Sequence, residues 1–164
     1  MNVFIVPVKN YIDRNLLGGW SIGKLARHCG LNFTAFERFG KRIIGWDSLR
    51  NELLVLRQMD ERICYCIINL KQVESCTVFK EYRNIEAVDW KIKGLDHSLE
   101  KVSLHLRLKN FGRSIALPFY ERSADPIGDI PYREGRARRW MQLISGIMTL
   151  SLPGEVPQLV ALPG

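Results

Sequence analysis

The sequence has no long apolar run. Nothing in its 164 residues approaches the roughly 18 consecutive apolar positions that a membrane-crossing helix needs. The opening "MNVFIVPV" is short, is broken by Pro7, and lacks the basic start and small-residue cleavage site of a secretory leader. A soluble chain is expected. No phosphate-cradling loop, glycine-rich dinucleotide fingerprint or Gly-x-Ser-x-Gly elbow occurs. Cysteine is scarce. Cys29, Cys64, Cys66 and Cys76 include no Cys-x-x-Cys pair and match no zinc module. They read as reduced, buried, small hydrophobes, which suits the cytoplasm. Histidine is scarcer still, and His28, His97 and His105 are scattered. His28 beside Cys29 suggests a base with a thiol, but neighbours along a helix do not face each other. Asp125 and Asp129 flank a Pro-Gly turn, where loop chemistry accounts for them. Glu134 stands at a helix start, where the macrodipole favours a carboxylate. No catalytic, cofactor-binding or metal residue is therefore expected, and no small-molecule substrate is indicated.

What is present is a globular composition. Apolar residues make up 46% and charged residues 25%, enough for a sizeable core. The net charge is +7 and is unevenly spread. Residues 1–50 hold eight Lys/Arg and three Asp/Glu, residues 51–130 hold twelve of each, and residues 131–164 hold four and two. The basic excess sits in the N-terminal third, where it draws nucleic acid or anionic lipid.

Patterning divides the chain into three parts. Residues 1–44 read as a basic helical lead-in, with short helices over 8–18, 22–29 and about 33–43. Gly18-Gly19 and Gly30 end the first two, and Ser21 and Asn32 cap the second and third. Phe33, Phe36 and Phe39 recur at helical spacing. Residues 45–151 read as strands and one helix. "RIIGWD" and "ELLVLRQ" flank "SLRN" as a hairpin, and "ICYCIINL" is a well-buried strand. "VESCTVFKEY" alternates, with Val73, Ser75, Thr77 and Phe79 on one side. "KVSLHLRLKN" places Val102, Leu104, Leu106 and Leu108 on one face and Ser103, His105, Arg107 and Lys109 on the other. Pro118 marks "SIALPFYE" as an edge strand or the seat of a bulge. "YREGRARRWMQLISGIMTLS" is an amphipathic helix. Ala137, Trp140, Ile144, Ile147 and Met148 form its apolar stripe, and Trp140 is its anchor on the sheet. Residues 152–164 form an extended tail. The expected fold class is α+β: short N-terminal helices, then a curled antiparallel sheet, as barrel or sandwich, with one C-terminal amphipathic helix.

Two family resemblances follow. "YIDRNLLGGWSIGKLARHCGLN", with Ala26 as the small residue and Gly30 as the turn, resembles the first helix-turn-helix of AraC-type transcription regulators over residues 10–45. Gly40 departs from the aromatic of that pattern, and strands follow where those regulators carry a second helix-turn-helix. The resemblance implies a DNA-binding regulator with a helix-turn-helix at about 22–43, whose reading helix over about 33–43 carries DNA contacts from Thr34, Arg38 and Lys41. Over residues 36–145, "FGKRIIGWDSLRNELLVL", "IINLKQVESCTVFKEY", "VSLHLRLKN", "IALPFYE" and "ARRWMQLI" come in an order that looks like the cytoplasmic domain of a family of small bacterial proteins. Members of that family are often tethered by one N-terminal transmembrane helix, which is not found here. Strands followed by one helix are similar to pleckstrin-homology-like (PH-like) domains. This resemblance implies a non-catalytic interaction or regulatory module at or near the inner face of the membrane, with a protein or anionic lipid partner. Lys41, Arg42 and Arg50, beside the first hairpin, are its anion-contact candidates. Arg136, Arg138 and Arg139 are the acidic-lipid candidates on the last helix.

Overall fold

Period-two alternation builds most of the molecule. The computed structural model describes residues 30–59, 62–83, 94–109 and 112–150. Its strands are β1 (Ala35–Phe39), β2 (Arg42–Asp47), β3 (Glu52–Met59), β4 (Arg62–Asn69), β5 (Val73–Tyr82), β6 (Leu99–Leu108) and β7 (Ser114–Glu121), and helix α1 covers Ile130–Leu150. They form a four-stranded sheet ordered β1-β2-β3-β4 and a three-stranded sheet ordered β5-β6-β7. Every pairing is antiparallel. The chain is thus α+β, with two open sheets and one C-terminal helix rather than a closed barrel. A 3-10 turn, Leu70–Gln72, carries the chain from the first sheet to the second. No helix among the described residues is long and apolar enough to cross a membrane.

One core joins both sheets and the helix. Phe39, Ile44, Leu53 and Ile68 of the first sheet meet Val102, Leu104, Leu106, Leu117 and Phe119 of the second, with Ala137, Trp140 and Ile144 of α1 closing over them. The expected stripe of α1 faces inward, and Trp140 is buried. Val102, Leu104, Leu106 and Leu108 also face inward, as their alternation requires. A smaller cluster of Leu31, Ile43, Leu54 and Leu56 lies on the opposite face of the first sheet. There Phe33 lies over Gly45, whose missing side chain makes the room: a Cβ at Gly45 would stand 2.7 Å from the Phe33 ring.

Three sequence expectations are corrected. The helix over about 33–43 is instead the β1–β2 hairpin, turned by Gly40 at φ +57 and Lys41. The phenylalanines at spacing three alternate faces on a strand, with Phe36 exposed and Phe39 in the core. The lead-in boundary near residue 44 consequently falls inside β2. On β5 the four residues read as one side, Val73, Ser75, Thr77 and Phe79, do not share a face. A bulge between Val73 and Ser75 shifts the phase, so Val73 is followed inward by Cys76 and Val78 while Thr77 and Phe79 point outward. Ser103, assigned to the wet face of β6, is buried beneath neighbours that include the His105 ring, to which it hydrogen-bonds. The expected helices over 8–18 and 22–29, His28 with Cys29, and the tail 152–164 lie outside the described residues.

Candidate functional site

Strand alternation sends charge into the first sheet's inner face. Glu37 and Phe39 of β1, Arg42 and Ile44 of β2, and Val55 and Arg57 of β3 share that face by register. A charge so placed needs a partner from the opposite layer. The segment from the end of β7 into α1 supplies all of them. Arg42 donates Nη2 to Asp125 at 2.5 Å and Nη1 to the Pro118 carbonyl at 3.0 Å. Arg57 pairs with Glu121 at 2.7 Å, and Lys101 approaches the same carboxylate. Asp125 also accepts the Glu121 backbone N–H and lies 3.7 Å from Arg133. Glu37 accepts from Arg136 through one oxygen and from Trp140 Nε1 at 2.8 Å through the other.

The backbone at Pro118 serves this cluster. Pro118 is on an edge strand and at a bulge, since Val102 pairs with Tyr120 while the next residue, Ser103, pairs with Pro118. The skipped residue, Phe119, turns into the core and stacks on Phe39 with ring centroids 4.9 Å apart. The guanidinium groups of Arg42 and Arg133 lie 5.6 and 5.4 Å from the Phe39 ring centroid, a cation-π arrangement. Beside them is an apolar cleft of about 20 Å³, lined among others by Phe39, Ile44, Val55 and Leu117, which is room for about one water.

The expected contact residues do not converge. Arg38 is exposed on the outer face of β1, and Lys41 is exposed in the β1–β2 turn. Arg42, next in sequence, is buried and committed to Asp125. Thr34 and Arg50 sit at the other end of the hairpin, where the Thr34 hydroxyl donates to Ser48 at 2.6 Å. On α1, Arg136 is held by Glu37, Arg138 by Glu134 at 2.8 Å, and Arg139 is exposed. Glu134 also meets Lys80 at 2.6 Å. Burial works to raise the Glu134 carboxyl, but hydrogen bonds from Lys80 and Arg138 outweigh it and hold it below the usual range.

Sequence reasoning missed the buried cluster and one organised turn. Asp47 ends β2 and is buried. Its Oδ2 accepts from the Asn32 N–H at 2.9 Å, and its Oδ1 from the Leu49 and Arg50 N–H groups at 2.9 and 3.1 Å. Asn51 closes the turn at φ 56, a left-handed conformation that asparagine tolerates. The Asn32 hydrogen bond leads the effects that lower the Asp47 carboxyl below its ordinary 3.8, against the opposing pull of burial. The bonds to the ionised form therefore stabilise the fold fully above that value, and the contribution is lost as pH falls through the lower folded value. Asp47→Ala should cost about 1–3 kcal/mol at neutral pH. In urea titrations its deficit relative to wild type should shrink below pH 3.8, and a deficit independent of pH would show that the carboxylate is not what holds the turn.

Burial pushes the Cys76 thiol up to about 12 and raises Cys66 as well, so both stay protonated and poorly nucleophilic at neutral pH. Both are free thiols. Among the described residues no group of three or more His, Cys, Asp or Glu side chains is placed to hold a metal ion. Comparison of the chain with protein-family models, with curated proteins and with solved structures finds no match.

Proposed function

We propose that the chain is a non-catalytic interaction or regulatory module of PH-like kind, with a protein or anionic lipid partner. One observation carries the reading. The buried charged groups Glu37, Arg42, Asp125 and Arg133 are paired with one another or with close neighbours, with only Arg133 Nε left without a hydrogen bond among their buried side-chain atoms, and the cleft beside them holds about 20 Å³. Polar groups converging on a substrate would instead face a cavity of several hundred Å³. The order of four strands, three strands and one helix supports the PH-like assignment. The β1 edge, with Phe36 45% exposed, supports contact with a partner.

The rival regulator reading relied on a reading helix over 33–43, where the hairpin stands. The test has two arms. Cross-linking the full chain in its own cells, with identification of the adducts, should yield a discrete stoichiometric protein partner unless the partner is lipid. Titrating labelled duplex DNA at two salt concentrations should show no saturable binding. Tight, salt-weakened binding that Arg38→Ala/Lys41→Ala abolishes would overturn the proposal in favour of DNA.

A further inference from the structure

Three connections meet at one end of the molecule, and the hydrogen bonds between them fix the meeting. The Leu70 N–H of the 3-10 turn donates to the Asn51 carbonyl of the β2–β3 turn at 2.9 Å. The Lys109 N–H, at the end of β6, donates to the Gln72 carbonyl at 2.7 Å, and Lys109 Nζ reaches the Lys71 carbonyl at 3.0 Å. Asn69 caps the 3-10 turn by accepting from the Lys71 N–H. Arg50, Lys71, Lys109 and Arg113 are exposed on these connections, and none of them forms an ion pair among the described residues. The acidic side chains near them are few. Asp47 is buried within its turn, Glu74 is paired with Arg107 at 3.0 Å, and Glu52 opens β3.

Among these cations stands Leu49, 84% exposed, the most exposed large hydrophobic side chain among the described residues. It is not on a loose loop. Asp47 grips its N–H, the Thr34 hydroxyl accepts from the N–H of Ser48 just before it, and Asn51 takes a left-handed conformation just beyond it. A lone exposed leucine is ordinary on a protein surface. What sets this one apart is that a firmly held turn presents it at an end carrying exposed basic side chains that form no ion pair among the described residues.

We propose that this end of the molecule docks on an anionic membrane surface, with Leu49 entering the interface and Arg50, Lys71, Lys109 and Arg113 meeting the lipid headgroups. Basic residues near a negatively charged leaflet are attracted by its surface potential, and an apolar side chain at the boundary adds burial that does not depend on charge. The pairing of the two favours lipid over nucleic acid, since a phosphate backbone needs only the cations. The inference rests on the lipid arm of the binding-module reading. That reading also admits a protein partner, so cross-linking to a protein without vesicle binding would retire the lipid face alone.

The experiment is co-sedimentation of the full chain with phosphatidylcholine vesicles and with vesicles containing about a third phosphatidylserine. Binding should appear on the anionic vesicles and weaken with salt. Leu49→Ser should reduce partitioning about tenfold. Lys71→Glu/Lys109→Glu should reduce it by more than about tenfold. These side chains are exposed, and an unchanged thermal transition will show that the variants are folded. No binding to anionic vesicles would overturn the proposal. So would binding indifferent to Leu49→Ser, which would mark a general anion surface. Duplex DNA binding lost in the charge-reversal variant, without vesicle binding, would overturn it as well.

Discussion

Asp125→Ala is expected to lower the free energy of unfolding by about 3 kcal/mol, because it takes the nearest carboxylate from buried Arg42 and leaves it only Glu121, 3.9 Å away. The Arg42 and Asp125 side chains are 7% and 5% exposed, so water cannot replace the lost partner. The substitution also strips the acceptor from the Glu121 N–H and removes the carboxylate beside Arg133. Breaking the exposed Arg138–Glu134 pair should cost only about 0.3–0.5 kcal/mol, and urea titration of both variants measures the contrast. Replacing the buried pair by Arg42→Met/Asp125→Leu should recover only the part of the loss that comes from Arg42, since the Glu121 N–H and Arg133 still lose Asp125. An Asp125→Ala cost no greater than that of the surface pair would mean that solvent reaches the cluster.

The second large effect is at Trp140. Trp140→Ala should cost about 3–5 kcal/mol through lost burial and the cavity left behind. Trp140→Phe keeps most of the ring contact and removes the hydrogen bond to Glu37. It should cost about 1–2 kcal/mol, because Arg136 still serves the other carboxylate oxygen. Thermal unfolding of the pair separates packing from polar anchoring. Equal losses for the two variants would show that the bond to Glu37, rather than the ring, holds α1 on the sheet.

Most of the fold was legible wherever one physical rule governed a whole segment. The β2–β3 hairpin, β6, β7 and α1 follow from alternation or from the helical stripe, and Pro118 pointed to an edge or a bulge and sits at both. Strand β4 followed from its continuous apolar run, but it lies at the end of its sheet, and Tyr65, Cys66 and Ile67 are only half-buried. Reading failed where two rules compete. Phe33, Phe36 and Phe39 satisfy a helical period, yet Gly45 makes room for one of them and the core for another. On β5 alternation alone puts Val73 on one side with Ser75, Thr77 and Phe79, but one bulged residue moves every later side chain to the other face. The ionic cluster was not seen because its partners are far apart in sequence. A signal did exist. Glu37 and Arg42 fall in phase with Phe39 and Ile44, and a charge in phase with core positions marks a buried pair. The exposed tip at Leu49 has no such signature, since a leucine in a turn is ordinary until its exposure is known.

The distances along the chain within that cluster have a kinetic meaning. Arg42 waits 83 residues for Asp125, and Glu37 waits 103 for Trp140. Contacts of such separation are slow to close, because the loop between them must be ordered first. During synthesis the hairpin of β1 and β2 leaves the ribosome with its inward charges unanswered and its apolar inner face open. The β1–β2 hairpin precedes every other described strand out of the ribosome and is among the last parts to be satisfied, so a ribosome-bound chain halted before α1 should hold its first sheet unlocked.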